Sequence, residues 1–264
     1  MINFDRFKDG KSTILTMSYD DGVEADKRLI EIFDKYGIRG TFHLNSGLFG
    51  QGKRIPESEI GRVYQNHEIS CHSLTHPHLE KSPTVAAAQE VIKDRENLER
   101  IANYPVRGMS YPFGTYNDDV VTSLKQCGIV YSRTVAATNS FQLPGNFLTW
   151  HPTCHHKQCI DLGKRYIDSL QYIWRVPLFY VWGHSYEFDN DQNWDMIEEF
   201  CKMLSGREEI WYATNIEIYD YVMAQRNLHI SADNTIVCNP SAMTVWFSYK
   251  GETVEIKGGE TLHL

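Results

Sequence analysis

Two short segments, far apart in the chain, hold a matched set of metal and proton donors. Asp20 and Asp21 lie inside Ser18-Tyr19-Asp20-Asp21-Gly22, and His72 and His76 lie inside His72-Ser73-Leu74-Thr75-His76. Two imidazoles and one carboxylate can hold a divalent metal and still leave a position for water, whose pKa falls on binding. The second carboxylate of the pair can then take the proton from that water. Pro77 follows His76 directly, and the residue before proline is disfavoured in a helix. The two imidazoles are therefore expected on a loop and not on one helical face.

The elements around these residues read as repeated βα units. From Thr13 to about Arg226, short β-rich runs alternate with amphipathic helices, the pattern of a parallel sheet. Ile14–Met17, Gly40–Leu44, Glu68–Cys71, Gly108–Ser110, Ile129–Tyr131, Leu178–Trp182 and Trp211–Ala213 read as strands. Helices are expected near Asp26–Tyr36, ended by Gly37, after an N-cap and first-turn pair Ser82-Pro83, after a cap at Asn117, and over Trp194–Leu204 and Asn215–Gln225. Ligands of such sheets sit at the carboxyl ends of strands. Asp20-Asp21, His72, Tyr111–Gly114 and His184 all fall there.

After Arg226 the rhythm changes to Leu228–Ile230, Thr235–Val237, Thr244–Phe247 and Thr253–Ile256, separated by turn residues. The expected organisation is a barrel over 1–226 and a small antiparallel β appendage over 227–264 packed on it, because so few residues rarely fold alone.

The acidic and imidazole segments resemble the first two motifs of the polysaccharide deacetylase family, also called the NodB homology domain: an Asp-Asp-Gly ending and a His-Ser/Thr-x-x-His. The resemblance spans roughly Thr13 to Arg226 and implies an α/β fold, a distorted (β/α) barrel with about seven parallel strands. It implies that Asp20 is the catalytic base and that Asp21, His72 and His76 hold a divalent metal, zinc first, with cobalt, nickel or manganese as alternatives. The family's third motif, Arg-x-Pro-Phe/Tyr-Gly, stands here as Ser110-Tyr111-Pro112-Phe113-Gly114. Phe113 would supply its backbone N–H to an oxyanion. The motif's Arg, which orients the base, is replaced by Ser110, and Arg107, Arg133 or Arg175 could stand in for it in space. Leu178–His184 matches the family's late strand followed by a general-acid His, which assigns His184 to protonating the leaving group. The supporting Asp and aromatic of the fourth motif have no clear counterpart; Glu187 or Asp189 could orient His184, and Trp150 could form the wall. The implied activity is metal-dependent removal of acetyl from an N-acetylated or O-acetylated oligo- or polysaccharide. A small cyclic amide or ureide hydrolase, and a noncatalytic carbohydrate-binding protein, are the rival readings.

Tyr111, Trp150 and Tyr186 are candidates for a sugar-stacking surface. Thr153-Cys154-His155-His156 reads as a polar rim loop in preference to a second metal site. The formal net charge of -8 disfavours a nucleic-acid partner. No apolar run is long enough to cross a membrane. The N-terminus lacks the basic head and apolar stretch of a secretory signal, so a cytoplasmic location is expected for the chain as written, with secretion possible if a leader was trimmed. The six cysteines are scattered and read as reduced core thiols.

Overall fold

A computed structural model of the chain describes residues 1–175 and 177–264, with the side chains of 173–175 outside the description. After β1 (Ile2–Asn3), which belongs to the appendage, the strands are β2 (Thr13–Asp20), β3 (Gly40–Leu44), β4 (Glu68–Cys71), β5 (Gly108–Ser110), β6 (Tyr131–Arg133), β7 (Cys154–His155), β8 (Leu178–Gly183) and β9 (Ile210–Tyr212). They pair in parallel in the order β6-β5-β4-β3-β2-β8-β7, with β9 alongside the first residues of β2. Trp150 bridges Arg133 on one edge strand, and β7 pairs with Val181 and Trp182 of β8. Residues 150–155 thus link the sheet's two ends, and the sheet curls into the expected distorted barrel.

Side-chain alternation explains why β2 is buried along its whole length. Leu15, Met17 and Tyr19 point outward into the main apolar core, among Leu29 and Phe33 of α1 (Ala25–Lys35). Ile14, Thr16, Ser18 and Asp20 alternate with them and face the interior. There the polar members find partners: Thr16 Oγ1 donates to Asn215 Oδ1 at 2.8 Å and Ser18 Oγ lies 2.9 Å from His43 Nε2. The first strand therefore runs through Asp20 instead of stopping at Met17, because its polar residues are satisfied inside the barrel.

The remaining helices are α2 (Glu57–Val63), α3 (Thr84–Ala102), α4 (Asp118–Gln126), α5 (Cys159–Ser169), α6 (Tyr186–Asn190), α7 (Trp194–Leu204) and α8 (Asn215–Arg226). Helix α1 ends as its sequence suggests. Gly37 takes φ +66°, and the N–H of Ile38 reaches back to Phe33 O at 2.9 Å, a Schellman-type closure. Asn117 caps α4 by accepting from Val120 N at 2.9 Å. Helix α3 departs from expectation: Ser82 Oγ donates to His78 O at 3.1 Å instead of capping, and the helix begins at Thr84 after Pro83.

The appendage consists of β10 (His229–Ile230), β11 (Ile236–Cys238), β12 (Val245–Tyr249), β13 (Glu252–Ile256) and β14 (Thr261–His263), arranged with β1 as two three-stranded antiparallel sheets. The chain's first strand, counted with the barrel from sequence, pairs instead with β12: Ile2 lies opposite Tyr249. Val237, Val245, Phe247 and Ile256 share one core with Phe7, Ile14 and Leu178, so the appendage seals the amino-terminal ends of the strands. All six cysteines are free, five of them buried. Among the described residues no helix is long and apolar enough to cross a membrane.

Candidate active site

At the opposite end, where β2, β4, β5 and β8 finish, a cleft of about 530 Å³ is lined by Asp20, Asp21, His72, His76, Trp182 and His184, with Phe113 and Tyr186 among its other walls. Four residues on this rim have left-handed backbones although none is glycine: Asp21 (φ 84°), Ser73 (65°), His76 (60°) and Phe113 (58°). Such conformations cost roughly 1–3 kcal/mol each and persist where surrounding contacts fix them.

For the histidine loop those contacts are visible. Asp94 of α3 accepts from His72 N at 3.1 Å and Ser46 N at 2.8 Å. Asn45 Nδ2 donates to the carbonyls of His72 and Ser73 at 2.6 and 2.8 Å. Glu90 accepts from Thr75 N and Thr75 Oγ1 at 2.8 and 2.9 Å. His76 N donates to Ser73 Oγ at 3.1 Å, which closes a loop and not a helical turn.

Donor atoms of Asp21, His72 and His76 lie within 4.8 Å of one another. His72 Nδ1 sits 2.9 Å from the Ser110 carbonyl, which can only accept, so Nδ1 is the donor there and Nε2 is the nitrogen left to ligate. Burial and then the neighbouring His72 push His76 down to about 4, which leaves it neutral and able to ligate near pH 7. Arg54 Nη2 stands 3.4 Å from Asp21 Oδ1. Two imidazoles and a carboxylate fit a divalent ion of zinc's type.

Asp20 is almost fully buried beside this set. Its Oδ1 accepts from Ser110 Oγ at 3.0 Å, and its Oδ2 is paired with Arg133 Nη2. His72 Nε2 and His184 Nε2 stand 3.9 and 4.0 Å from the same Oδ2. Burial alone would raise this carboxyl, but the Arg133 guanidinium and then the His72, His43 and His184 rings outweigh it and hold Asp20 well below the usual carboxylate range. Arg133 lies directly opposite Ser110 in the β5–β6 ladder, so the guanidinium missing at position 110 arrives from the neighbouring strand. It is fully buried and lies 4.4 Å over the Trp182 ring. Arg107 is engaged elsewhere, with Asp220 at 2.6 Å, and the Arg175 side chain lies outside the described residues.

Across the cleft, His184 Nδ1 is 2.7 Å from Glu187 Oε1. Burial opposes a charge on this ring, yet the bond to Glu187 and the field of Asp20 raise its pKa above the usual imidazole value. Asp189 does not take this role; its carboxylate accepts from Trp194 Nε1 at 2.9 Å. Phe113 is half exposed, its ring stacked 3.9 Å from His78 and edge-on to His76 at 4.5 Å.

The three stacking candidates separate. Tyr186 lines the cleft, its ring 5.1 Å from His184. Tyr111 also lines the cleft, but it is buried, stacked on Tyr116 at 4.8 Å with its hydroxyl donated to Leu148 O at 2.7 Å. Trp150 is fully buried among Tyr131, Phe147 and Tyr180 and lies outside the cleft. The tryptophan at the site is Trp182, whose inward position follows from strand alternation two residues after Tyr180. Sequence reasoning also passed over His43, which is fully buried and pushed by burial down to about 3, and over Asn45, Asp94 and Glu90. No local motif marks these. His156, read as part of a polar rim loop, is fully buried between Tyr19 and Phe188.

Comparison with known proteins agrees with this geometry. A family description, polysaccharide deacetylase, matches residues 7–132. The peptidoglycan-N-acetylmuramic acid deacetylase of Bacillus subtilis is 24% identical over 44% of this chain and 25% of its own length. The peptidoglycan-N-acetylglucosamine deacetylase of Bacillus cereus is 24% identical over 38% of this chain and 36% of its own. The chain thus matches well under half the length of either curated relative. Among solved structures, one described as a polysaccharide deacetylase from Mycobacterium smegmatis superposes with a TM-score of 0.64 at 17% identity, covering 83% of this chain and 93% of that one. A family 4 carbohydrate esterase pseudoenzyme from Bacillus anthracis superposes at 0.51 with 18% identity, covering 79% and 66%. Over residues 7–132 the chain is thus similar to the polysaccharide deacetylase family, and it shares the barrel fold of the solved neighbours.

Proposed function

We propose that this protein is a metal-dependent hydrolase that removes acetyl groups from an N-acetylated carbohydrate, with O-acetylated sugar as the close variant. The observation that carries this reading is Asp20: a buried carboxylate kept anionic by Arg133, next to a His-His-Asp donor set and 4.0 Å from His184. The curated relatives, named for N-acetyl amino sugars of peptidoglycan, support an amide-linked acetyl as substrate.

Asp21, His72 and His76 would hold a divalent ion, zinc before cobalt, nickel or manganese, which would supply Lewis acidity to the acetyl carbonyl and to the attacking water. Asp20 takes one proton from that water. Arg133 and Ser110 hold its two oxygens so that it reaches the reaction deprotonated and oriented. The Phe113 backbone N–H is the donor for the oxygen that becomes negative. Protonated His184, held through Nδ1 by Glu187, passes its Nε2 proton to the departing amine, and the C–N bond breaks to leave acetate. Tyr186 and Trp182 form the apolar wall for the sugar.

A noncatalytic scaffold is the reading that the lost Arg at position 110 would favour. Arg133 reaching Asp20 from the adjacent strand removes that support. Acetate release tests the proposal, measured with N-acetylglucosamine oligomers and acetylated xylo-oligosaccharides on metal-replete and chelator-stripped protein. Release that depends on added metal is expected; no release from any substrate with metal bound would overturn it.

A further inference from the structure

Behind His184 lies a second group with the same composition as the first: His155, His156 and Glu187, with donor atoms within 4.8 Å of one another. Glu187 Oε1 accepts from His184 at 2.7 Å, but its other two imidazole neighbours stand off. His155 Nε2 is 3.3 Å from Oε1 and His156 Nε2 is 3.5 Å from Oε2. His156 is fully buried, and among the described residues its ring nitrogens have no partner nearer than that 3.5 Å approach of Glu187. A buried polar group left in that state costs about 1–3 kcal/mol. The ring is locked in place: Tyr19 and Phe188 stack on it at 5.9 and 4.3 Å, and a Cβ on Gly183 would come within 2.1 Å of its Nδ1. His155 packs edge-on to Trp182 at 4.8 Å.

We infer that His155, His156 and Glu187 form a second divalent-cation site, of zinc type, separate from the Asp21-His72-His76 set. The unpartnered, buried His156 ring carries the point. Both approaches to Glu187 are long for a hydrogen bond to a carboxylate, His155 to Oε1 and His156 to Oε2, so the two rings face the one carboxylate without closing on it. A cation between the three groups would satisfy the buried His156 nitrogen that the protein itself leaves unpaired. Lys157 Nζ lies 3.5 Å from Glu187 Oε2 and competes for that oxygen. Its side chain is half exposed and already held by Asp191 at 2.8 Å, so it can withdraw toward that partner. His184 Nδ1–H remains on Glu187 as an outer partner of the ligating carboxylate. Occupancy would fix the carboxylate that orients His184.

Zinc stoichiometry and affinity test the site without reference to turnover. The full chain, stripped by chelator, is titrated with zinc and reisolated for metal analysis. Wild type is expected to hold two equivalents. Asp21→Asn/His76→Gln, which disables the first set, is expected to keep one equivalent, and adding His155→Gln to it should weaken that binding at least about tenfold. His155→Gln alone should keep the first equivalent. His155 is partly exposed, so its loss leaves the core intact, and melting followed by circular dichroism verifies this. Cobalt in the Asp21→Asn/His76→Gln chain should give the visible absorption of a tetrahedral site. If that chain binds no zinc, or binds it equally well with and without His155, the second site does not exist. Loss of the first equivalent alone would bear on the proposed reaction and leave this inference standing.

Discussion

The two faces of β2 differ in what they are made to do. Outward, Leu15, Met17 and Tyr19 enter an apolar core with Leu29 and Phe33. Inward, the same strand grades from Ile14, in the core shared with the appendage, through Thr16 and Ser18, each hydrogen-bonded across the barrel, to Asp20 at the cleft. Stability is concentrated on the outer face, where burial is apolar and roughly proportional to area. The inner face spends buried area on hydrogen bonds and charge, which contribute little net stability when satisfied and cost much when broken. Substitutions on the two faces should therefore fail in different assays.

The largest effect is expected from His72→Ala, which removes an imidazole of the donor set and the Ser110-held ring beside Asp20. Metal content and acetate release should both fall to background while the melting transition persists. On the outer face, Phe33→Ala leaves a cavity beside Tyr19, whose ring is 5.8 Å away. It should lower unfolding free energy by about 3–5 kcal/mol in urea with kcat per folded molecule unchanged. A large kcat loss there would erase the distinction between the faces.

Arg133→Met should lower kcat by about a hundredfold, some 2.7 kcal/mol in transition-state terms, because Asp20 loses its orienting charge. The sign of its pH effect is fixed. Arg133 holds the Asp20 pKa down, so its removal must move the acid limb of the rate profile to higher pH. An unmoved limb would show that Arg133 does not tune the base.

The smallest effect concerns Glu68, on the inner face at the amino-terminal end of β4. It accepts from Tyr131 Oη at 2.6 Å and from Thr41 Oγ1 and Ile216 N at 2.9 Å, yet burial pushes its carboxyl from 4.5 up to about 7. Between those values the folded chain keeps a proton that the unfolded chain releases. Its contribution is fully present below the unfolded pKa and is lost as pH rises through the folded one, at up to about 1.4 kcal/mol per pH unit. Glu68→Gln should flatten the fall in urea-denaturation free energy over that window; parallel pH curves for the two proteins would contradict it.

How much of this was legible in the sequence follows from how local each signal is. Asp20-Asp21 and His72–His76 are adjacent or nearly so, and strand-end logic places both without tertiary knowledge. Arg133 was one of three candidates because β6 read as Ile129–Tyr131. The strand in fact runs two residues later, over Tyr131–Arg133, held by pairing with Gly108–Ser110. Trp150 looked like a surface aromatic because its isolated β-bridge to Arg133 comes from chain closure, which no local pattern records. His156 looked polar and exposed for a similar reason, since its cover comes from Tyr19 and Phe188. Ile2–Asn3 is too short to show a period, so its place beside β12 was not readable.

The central claim is that Asp20 is a base standing beside a metal set and not a part of it. Asp20→Asn keeps the side chain's shape while removing the charge, so zinc content and acetate turnover measured together on that variant test the claim most directly. Full zinc occupancy with turnover reduced by at least about a hundredfold is the predicted result. Undiminished turnover, or loss of zinc along with activity, would contradict it.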